Sequence, residues 1–347
     1  MELFKQFQFG KFNTSVKICA PEEVFLSTSS LPSVFICDTN TAKIASIPDY
    51  ALIFENGDDT KNMDNLQKIL DYAYKKRCYR NSEFYAFGGG VITDITGFAA
   101  SLYMRGAKAI FVPTTLLCMV DACLGGKTGI NFKGKKNLLG TFYPASEIRI
   151  SVDFLQYLPD VQLLNGLAEV IKSAMIGNKE LLTILEKNKA DILNRNKKIL
   201  TEIIKQSLTI KGNIVEDDFR ENGVRAYLNL GHTFAHGLES ATSFNINHGY
   251  AVAWGIDKML RTGEKLGITK TSYADRIRNI LKLYDYNLNI KADTEKIITG
   301  MQMDKKRIDN TIRLVLQKQL GETLLHGVEE SLLREILENE GDNVTCE

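Results

Sequence analysis

The chain has 347 residues, 44% hydrophobic and 24% charged, an ordinary globular composition long enough for two packed domains. Its 43 basic and 42 acidic residues leave a net charge of +1, so nothing global draws it to nucleic acid or to an acidic membrane surface. No window approaches the roughly 18 consecutive apolar residues of a membrane span, and six cysteines without a C-x-x-C pair do not form a disulfide scaffold.

The N-terminus, MELFKQFQFGKF, alternates polar and apolar residues, lacks the apolar run of a signal peptide, and reads as a first strand. Up to residue 152, the β-rich runs SVFICD, ALIFE, EFYAF, AIFVP and EIRISV alternate with helical patterns, the clearest from Met63 to Arg77. That order predicts parallel βαβ units with right-handed crossovers. After Asp153, apolar residues recur at helical spacing through Leu163 to Ile176, Leu182 to Leu193, Ile199 to Val215, Asn229 to Ala241 and Ala251 to Leu266. TIRLVLQ and GETLLHG suit a β-hairpin, followed by a last helix from Val328 to Leu337. The expectation is an α/β domain over 1–152 and a mainly α-helical domain over 153–347. Reduced thiols at Cys19, Cys37, Cys78, Cys118, Cys123 and Cys346 suit the cytoplasm.

The strand EFYAF runs into Gly88-Gly89-Gly90 and then into a helical pattern, VITDITGFAASLYM. Glycines at a strand-to-helix turn let backbone N–H groups approach a pyrophosphate, and the helix N-terminus adds partial positive charge. The spacing is not G-x-G-x-x-G, and a glycine turn can be a tight turn only. Asp38 and Asn40 end an earlier strand, where ligands meet open α/β sheets, although Asx residues also serve turns for backbone reasons alone. Arg105, Lys108, Lys127, Lys133, Lys135 and Lys136 gather within about 30 residues. A solvated loop is the ordinary reading of such charges, but Asp121, Lys127, Thr128 and Asn137 sit in a Gly-rich stretch whose flexible backbone suits wrapping a phosphate or carboxylate.

Three of the four histidines, His232, His236 and His248, fall within 17 residues. On a helix, His232 and His236 share a face with their Cβ atoms roughly 5–6 Å apart. They could share one metal, or one could bind metal while the other faces substrate. Glu169 is a charged residue on an otherwise apolar helix, with Lys172 one turn along; a buried Glu–Lys pair and a metal ligand are both open readings. One carboxylate with two histidines leaves positions open for substrate oxygens, as catalytic zinc sites do, and such a metal acidifies a bound alcohol and polarises a carbonyl.

Taken in order, GGGVITDITGF, SLYMRG, VPTTLLCMVDACLGGKTGIN, KNLLG, NGLAEVIK, LNLGHTFAHGLES and NHGYAVAWG closely resemble the 3-dehydroquinate synthases, from about Asp38 to Lys306. The resemblance implies an N-terminal Rossmann-like parallel-sheet domain holding NAD and a C-terminal α-helical domain holding a divalent metal, zinc first and cobalt second. It puts the metal on Glu169, His232 and His248, and gives His236 to substrate and proton chemistry. Substrate-binding positions match Arg105, Lys127, Asn137, Lys172, Lys211, Arg225 and Asn229, with Lys305 or Lys306 beside them. Cofactor contacts match Asp38 and Asn40, the loop of Asn56, Gly57, Asp58, Asp59, Thr60 and Lys61, and the turn of Gly89, Gly90, Val91, Ile92, Thr93 and Asp94. They continue through Thr114, Thr115, Asp121, Lys127 and Lys136 to Phe154, Leu155, Gln156 and Tyr157.

The implied substrate is a small phosphorylated sugar acid, 3-deoxy-D-arabino-heptulosonate 7-phosphate, converted to 3-dehydroquinate plus phosphate in the shikimate pathway. The implied sequence is transient oxidation by NAD, phosphate elimination, re-reduction, ring opening and intramolecular aldol closure. A homodimer in which Arg105 reaches a neighbouring site is also implied. Thr93, Asp58, Tyr157 and Tyr250 depart from the family pattern, which usually has a small residue, glutamate, threonine and glutamate there. Another sugar phosphate cyclase and a metal-dependent alcohol or glycerol-phosphate dehydrogenase are the alternatives, the latter distinguished by release of NADH.

Overall fold

The polar–apolar alternation of the first residues builds two strands rather than one. In the computed structural model, which describes residues 1–27, 29–303 and 311–338, β1 (Glu2–Phe9) turns at Gly10 into antiparallel β2 (Phe12–Ile18). Gly10 takes φ of +59°, a left-handed conformation that reverses the chain where one continuous strand was expected.

The expected βαβ alternation follows. β3 (Val34–Asp38) and β4 (Leu52–Phe54) precede α1 (Met63–Lys75), whose first turn is capped by the Asn62 side chain accepting from Asn65 N. β5 (Glu83–Gly88), α2 (Gly90–Leu102) and β6 (Lys108–Pro113) come next. A single π-helical turn, Cys118–Ala122, leads to β7 (Lys127–Phe132), β8 (Lys135–Phe142) and β9 (Glu147–Ile150). One sheet has the order β1-β2-β9-β6-β5-β3-β4, parallel from β2 onward. Every residue of β3 and β5 is buried, as in parallel strands covered on both faces.

β7 and β8 form a separate antiparallel hairpin, where a glycine-rich wrapping loop was expected. Gly129 lies opposite Gly140, and a Cβ on Gly129 would collide with the Leu139 carbonyl. The glycines there permit close strand approach.

Helices dominate the rest: α3 (Asp160–Gly177), α4 (Lys179–Lys187), α5 (Lys189–Leu193), α6 (Lys197–Asp217), α7 (His232–Ala241), α8 (His248–Lys265), α9 (Thr271–Leu283) and α10 (Thr294–Met303). The single helix expected from Leu182 to Leu193 breaks at Asn188, whose side chain donates to Ile184 O. β10 (Thr311–Gln317) and β11 (Thr323–Glu329) form the expected hairpin, and α11 (Glu330–Glu338) closes the described chain.

The chain forms two compact units, Met1–Gly166 with Asn194–Glu221, and Leu167–Leu193 with the residues from Asn222 on. They differ from the expected 1–152 and 153–347 because α6 packs on β1: a Cβ on Gly212 would overlap the Phe7 ring. Among the described residues, no helix is long and apolar enough to cross a membrane.

Candidate active site: a histidine–carboxylate cluster and a glycine turn

In the second unit, α7 and α8 each begin with a histidine, His232 and His248. Gly231, with φ of +76°, caps α7 and lies against Gly255 of α8. Glu169 points from α3 at both rings. Its Oε1 is 3.4 Å from His232 Nε2 and 3.3 Å from His248 Nε2, and one donor atom from each of the three residues lies within 4.8 Å of the others. The Glu169 side chain is 1% exposed.

The outer ring nitrogens are also occupied. His232 Nδ1 is 3.2 Å from Leu230 O, and His248 Nδ1 is 3.3 Å from Glu239 Oε1. With protons on those nitrogens, each Nε2 is the ring nitrogen left to meet Glu169 or a cation. Burial opposes the Glu169 charge, but the Lys172 ammonium 2.5 Å away and the imidazoles outweigh it and hold the carboxyl well below its usual range. Burial, then Lys172, push His232 below its ordinary value. For His248 burial acts in the same direction, yet the Glu169 and Glu239 carboxylates outweigh it and push the imidazole up to about 10. A cation entering here displaces a proton from His248.

These residues fit a divalent metal. Apart from the charge contact with Lys172, neither buried Glu169 oxygen has a hydrogen bond of ordinary geometry. A carboxylate with two imidazole nitrogens is a catalytic zinc donor set with positions left open.

His236 stands beside this set rather than in it. It is half-buried, with ring centroids 5.6 Å from His232 and 6.4 Å from His248. Lys172 and Arg225 are buried, Asn229 half-buried. Tyr250 packs edge-on against the buried Tyr286 at 5.5 Å. Lys305 and Lys306 lie outside the described residues.

In the first unit, the glycine turn joins β5 to α2. A Cβ on Gly88 would stand 2.8 Å from Ile92, and one on Gly89 3.2 Å from Thr115. No side chain caps α2 at Gly89, so the N–H groups of Gly90, Val91 and Ile92 are free to meet an anion, and the turn fits a pyrophosphate. Thr93 Oγ1 folds back onto Gly90 O at 3.1 Å, which accommodates the bulkier side chain inside the helix. Thr114 N donates to Gly88 O, and Thr115 Oγ1 accepts from Cys118 N.

The polar residues singled out from the sequence form several knots. Buried Lys61 Nζ contacts Asp94 Oδ2 at 2.5 Å and also Asn137 Oδ1; Asn137 takes φ of +53°. Burial pushes the Asp94 carboxyl up against the pull of Lys61. Asp58 accepts from Asn131 Nδ2 at 2.8 Å and lies 3.6 Å from Lys136 Nζ. Lys211 Nζ meets Asp121 Oδ1 at 2.9 Å, and Lys127 is ion-paired with Glu221.

Other positions have structural duties. Asp38 Oδ1 accepts from Asn40 N and Thr41 N, an Asx turn, while the Asn40 side chain is exposed. Thr60 Oγ1 donates to Glu55 O, and Asn56, Gly57 and Asp59 are exposed, with Asp58 half-buried. Phe154 and Leu155 are core residues, Phe154 edge-on to Phe87. Gln156 Nε2 donates to Arg195 O, and Tyr157 is 64% exposed. Arg105, with φ of +63°, follows Met104 at +48° on an exposed segment.

Two acids escaped sequence reasoning. Nothing in ENGVR marks Glu221, but Glu239 falls seven residues after His232, two helical turns along one face.

Residues 51–165 match the family model of the 3-dehydroquinate synthase N-terminal domain, and 166–307 that of the C-terminal domain. A 3-dehydroquinate synthase of Dictyoglomus thermophilum is 41% identical over 266 residues, 76% of this chain and 75% of that protein. The chain belongs to the 3-dehydroquinate synthase family. The 3-dehydroquinate synthase of Pyrococcus abyssi is 36% identical over 90% of this chain and 98% of its own length. The family's enzymes are lyase-type cyclases of the shikimate pathway.

Solved structures share the fold. A 2-deoxy-scyllo-inosose synthase complexed with carbaglucose-6-phosphate, NAD+ and Co2+ superposes with a TM-score of 0.85 at 22% identity, over 96% of this chain and 98% of that one. A 2-epi-5-epi-valiolone synthase of Streptomyces hygroscopicus subsp. jinggangensis with NAD+ and Zn2+ bound gives 0.84 at 22%, over 95% and 96%. A probable glycerol dehydrogenase of Sinorhizobium meliloti gives only 0.57 at 13%, over 88% and 89%. The alternatives named from sequence thus share the architecture.

Proposed function

We propose that this protein converts 3-deoxy-D-arabino-heptulosonate 7-phosphate to 3-dehydroquinate and phosphate, with NAD on the glycine turn and a divalent metal, zinc first, on Glu169, His232 and His248. The observation that carries the reading is the buried Glu169 carboxylate, short of hydrogen bonds and aimed at two imidazole nitrogens, in a chain of this family. When bound, the two groups supply hydride exchange and Lewis-acid polarisation.

The chain's own residues position the substrate and move protons. Free N–H groups at the start of α2 take the cofactor's pyrophosphate, and the Lys61–Asp94 pair borders that turn. Arg105, Lys127, Asn137, Lys211, Arg225 and Asn229, with Lys305, hold the substrate's phosphate, carboxylate and hydroxyls. Lys172 keeps Glu169 ionised. His236 transfers protons at a ring nitrogen. Positioning and electrostatics are the protein's share of the barrier reduction.

A cytoplasmic homodimer belongs to the same proposal, supported by the exposed apolar side chains of Leu102 and Met104 beside Arg105.

The test is phosphate release from 3-deoxy-D-arabino-heptulosonate 7-phosphate with zinc and NAD, with NADH absorbance followed in the same cuvette. Phosphate release that needs both cofactors without NADH accumulation supports the cyclase. No release points to another sugar phosphate, and steady NADH build-up to a dehydrogenase.

A further inference from the structure

The two imidazoles of the metal set are oriented by partners of different chemistry. His232 Nδ1 faces a neutral acceptor, Leu230 O at 3.2 Å, on its own chain segment. His248 Nδ1 faces the Glu239 carboxylate at 3.3 Å, and that carboxylate comes from another helix, α7, while His248 begins α8. The His248 side chain is 32% exposed against 10% for His232, so packing restrains its ring less. Glu239 is 7% exposed, and its backbone carbonyl is held by Phe244 N at 2.7 Å in the turn between the helices.

We propose that Glu239 is a positioning residue that fixes the ring orientation and tautomer of His248 and thereby sets the affinity for the divalent metal. Accepting a hydrogen bond from Nδ1 leaves Nε2 as the nitrogen that meets the metal beside Glu169 and makes the imidazole a stronger donor than a carbonyl partner does. The assignment rests on the metal reading given above and adds a residue to it. Glu239 touches neither substrate nor cofactor in this account; it acts through His248.

The experiment compares the full chain with Glu239→Gln and Glu239→Ala. Zinc affinity is measured by competition with a chromogenic chelator, and the ligand field by the visible spectrum of the cobalt-loaded protein. Glu239→Ala is expected to weaken zinc by about 10- to 100-fold and to change the cobalt bands, with Glu239→Gln, which keeps an uncharged acceptor, in between. NAD binding, read by fluorescence, is expected to stay at the parent value. Parent-like zinc affinity and cobalt spectra in both variants would overturn the proposal while leaving the metal site standing. Failure of the unsubstituted chain to bind zinc or cobalt would overturn the metal reading itself. Should Glu239→Ala fail to fold, the near-isosteric Glu239→Gln decides.

Discussion

Gly231 and Gly255 meet so closely that neither position has room for a side chain. A Cβ on Gly255 would collide with the Gly231 carbonyl oxygen, and one on Gly231 would stand 2.8 Å from Ile256 Cγ1 and 3.0 Å from Ile256 N. Gly231 caps α7 directly before His232, and Gly255 lies two turns after His248, so this crossing sets how near the two imidazoles come. Gly255→Ala has to part the helices. It is expected to cost roughly 1–3 kcal/mol of stability and to weaken zinc at the same time. Urea unfolding and chelator competition check both, and a variant with the parent's midpoint and affinity would show that the spacing is set elsewhere.

Removal of the metal by a chelator is expected to lower kcat at least about 10³-fold, since Lewis-acid stabilisation is worth several kcal/mol. His232→Ala should do the same while leaving the Glu169–Lys172 pair in place. Glu169→Gln removes a ligand and also strands the buried Lys172 ammonium, so it should cost a further 3–5 kcal/mol or so of stability. Zinc content, turnover and thermal unfolding of the two variants separate these effects. Equal stability of the two would mean that the buried ion pair contributes nothing.

The βαβ alternation and the second half's helices were legible because hydrophobic periodicity reports burial directly. The grouping of Glu169, His232 and His248 was legible as a family resemblance, while spacing alone left His232/His236 sharing one metal as an open reading. The β7–β8 hairpin was not legible: Gly129, Gly134 and Gly140 look like loop residues until the chain pairs with itself. Assigning α6 to the first unit required knowing that Gly212 meets Phe7, a contact 205 positions apart in sequence. Glu221 and Glu239 were not legible because folding brings them to partners such as Lys127 and His248.

Lys127 separates structural from functional roles cleanly. Its side chain is 55% exposed and its Glu221 partner 23%, and an ion pair that open to water is worth only about 0–1 kcal/mol. Lys127→Ala should therefore leave the unfolding midpoint nearly unchanged while kcat/KM falls about 10²-fold or more, through a missing charge at a substrate oxyanion. Steady-state kinetics beside a denaturation curve give the answer. A kcat/KM within about twofold of the parent would remove Lys127 from the site.

Glu147 predicts a pH dependence unrelated to catalysis. Burial raises its carboxyl, but hydrogen bonds from Lys17, at 2.8 Å, and from fully buried Arg149 outweigh burial and hold it below the ordinary range. A carboxyl depressed in the folded state contributes stability that is complete above its unfolded value, roughly 4.3, and is lost as pH falls through the folded one. Glu147→Gln lacks that contribution at every pH. It should be less stable than the parent by about 1–3 kcal/mol at pH 7, because Arg149 keeps no charged acceptor there. The gap should close as the medium is acidified below about pH 4, where the parent's own carboxyl takes up a proton. Urea titrations of both proteins at neutral and acid pH measure it; a gap that stays constant would mean that the Glu147 charge is not what stabilises this corner of the sheet.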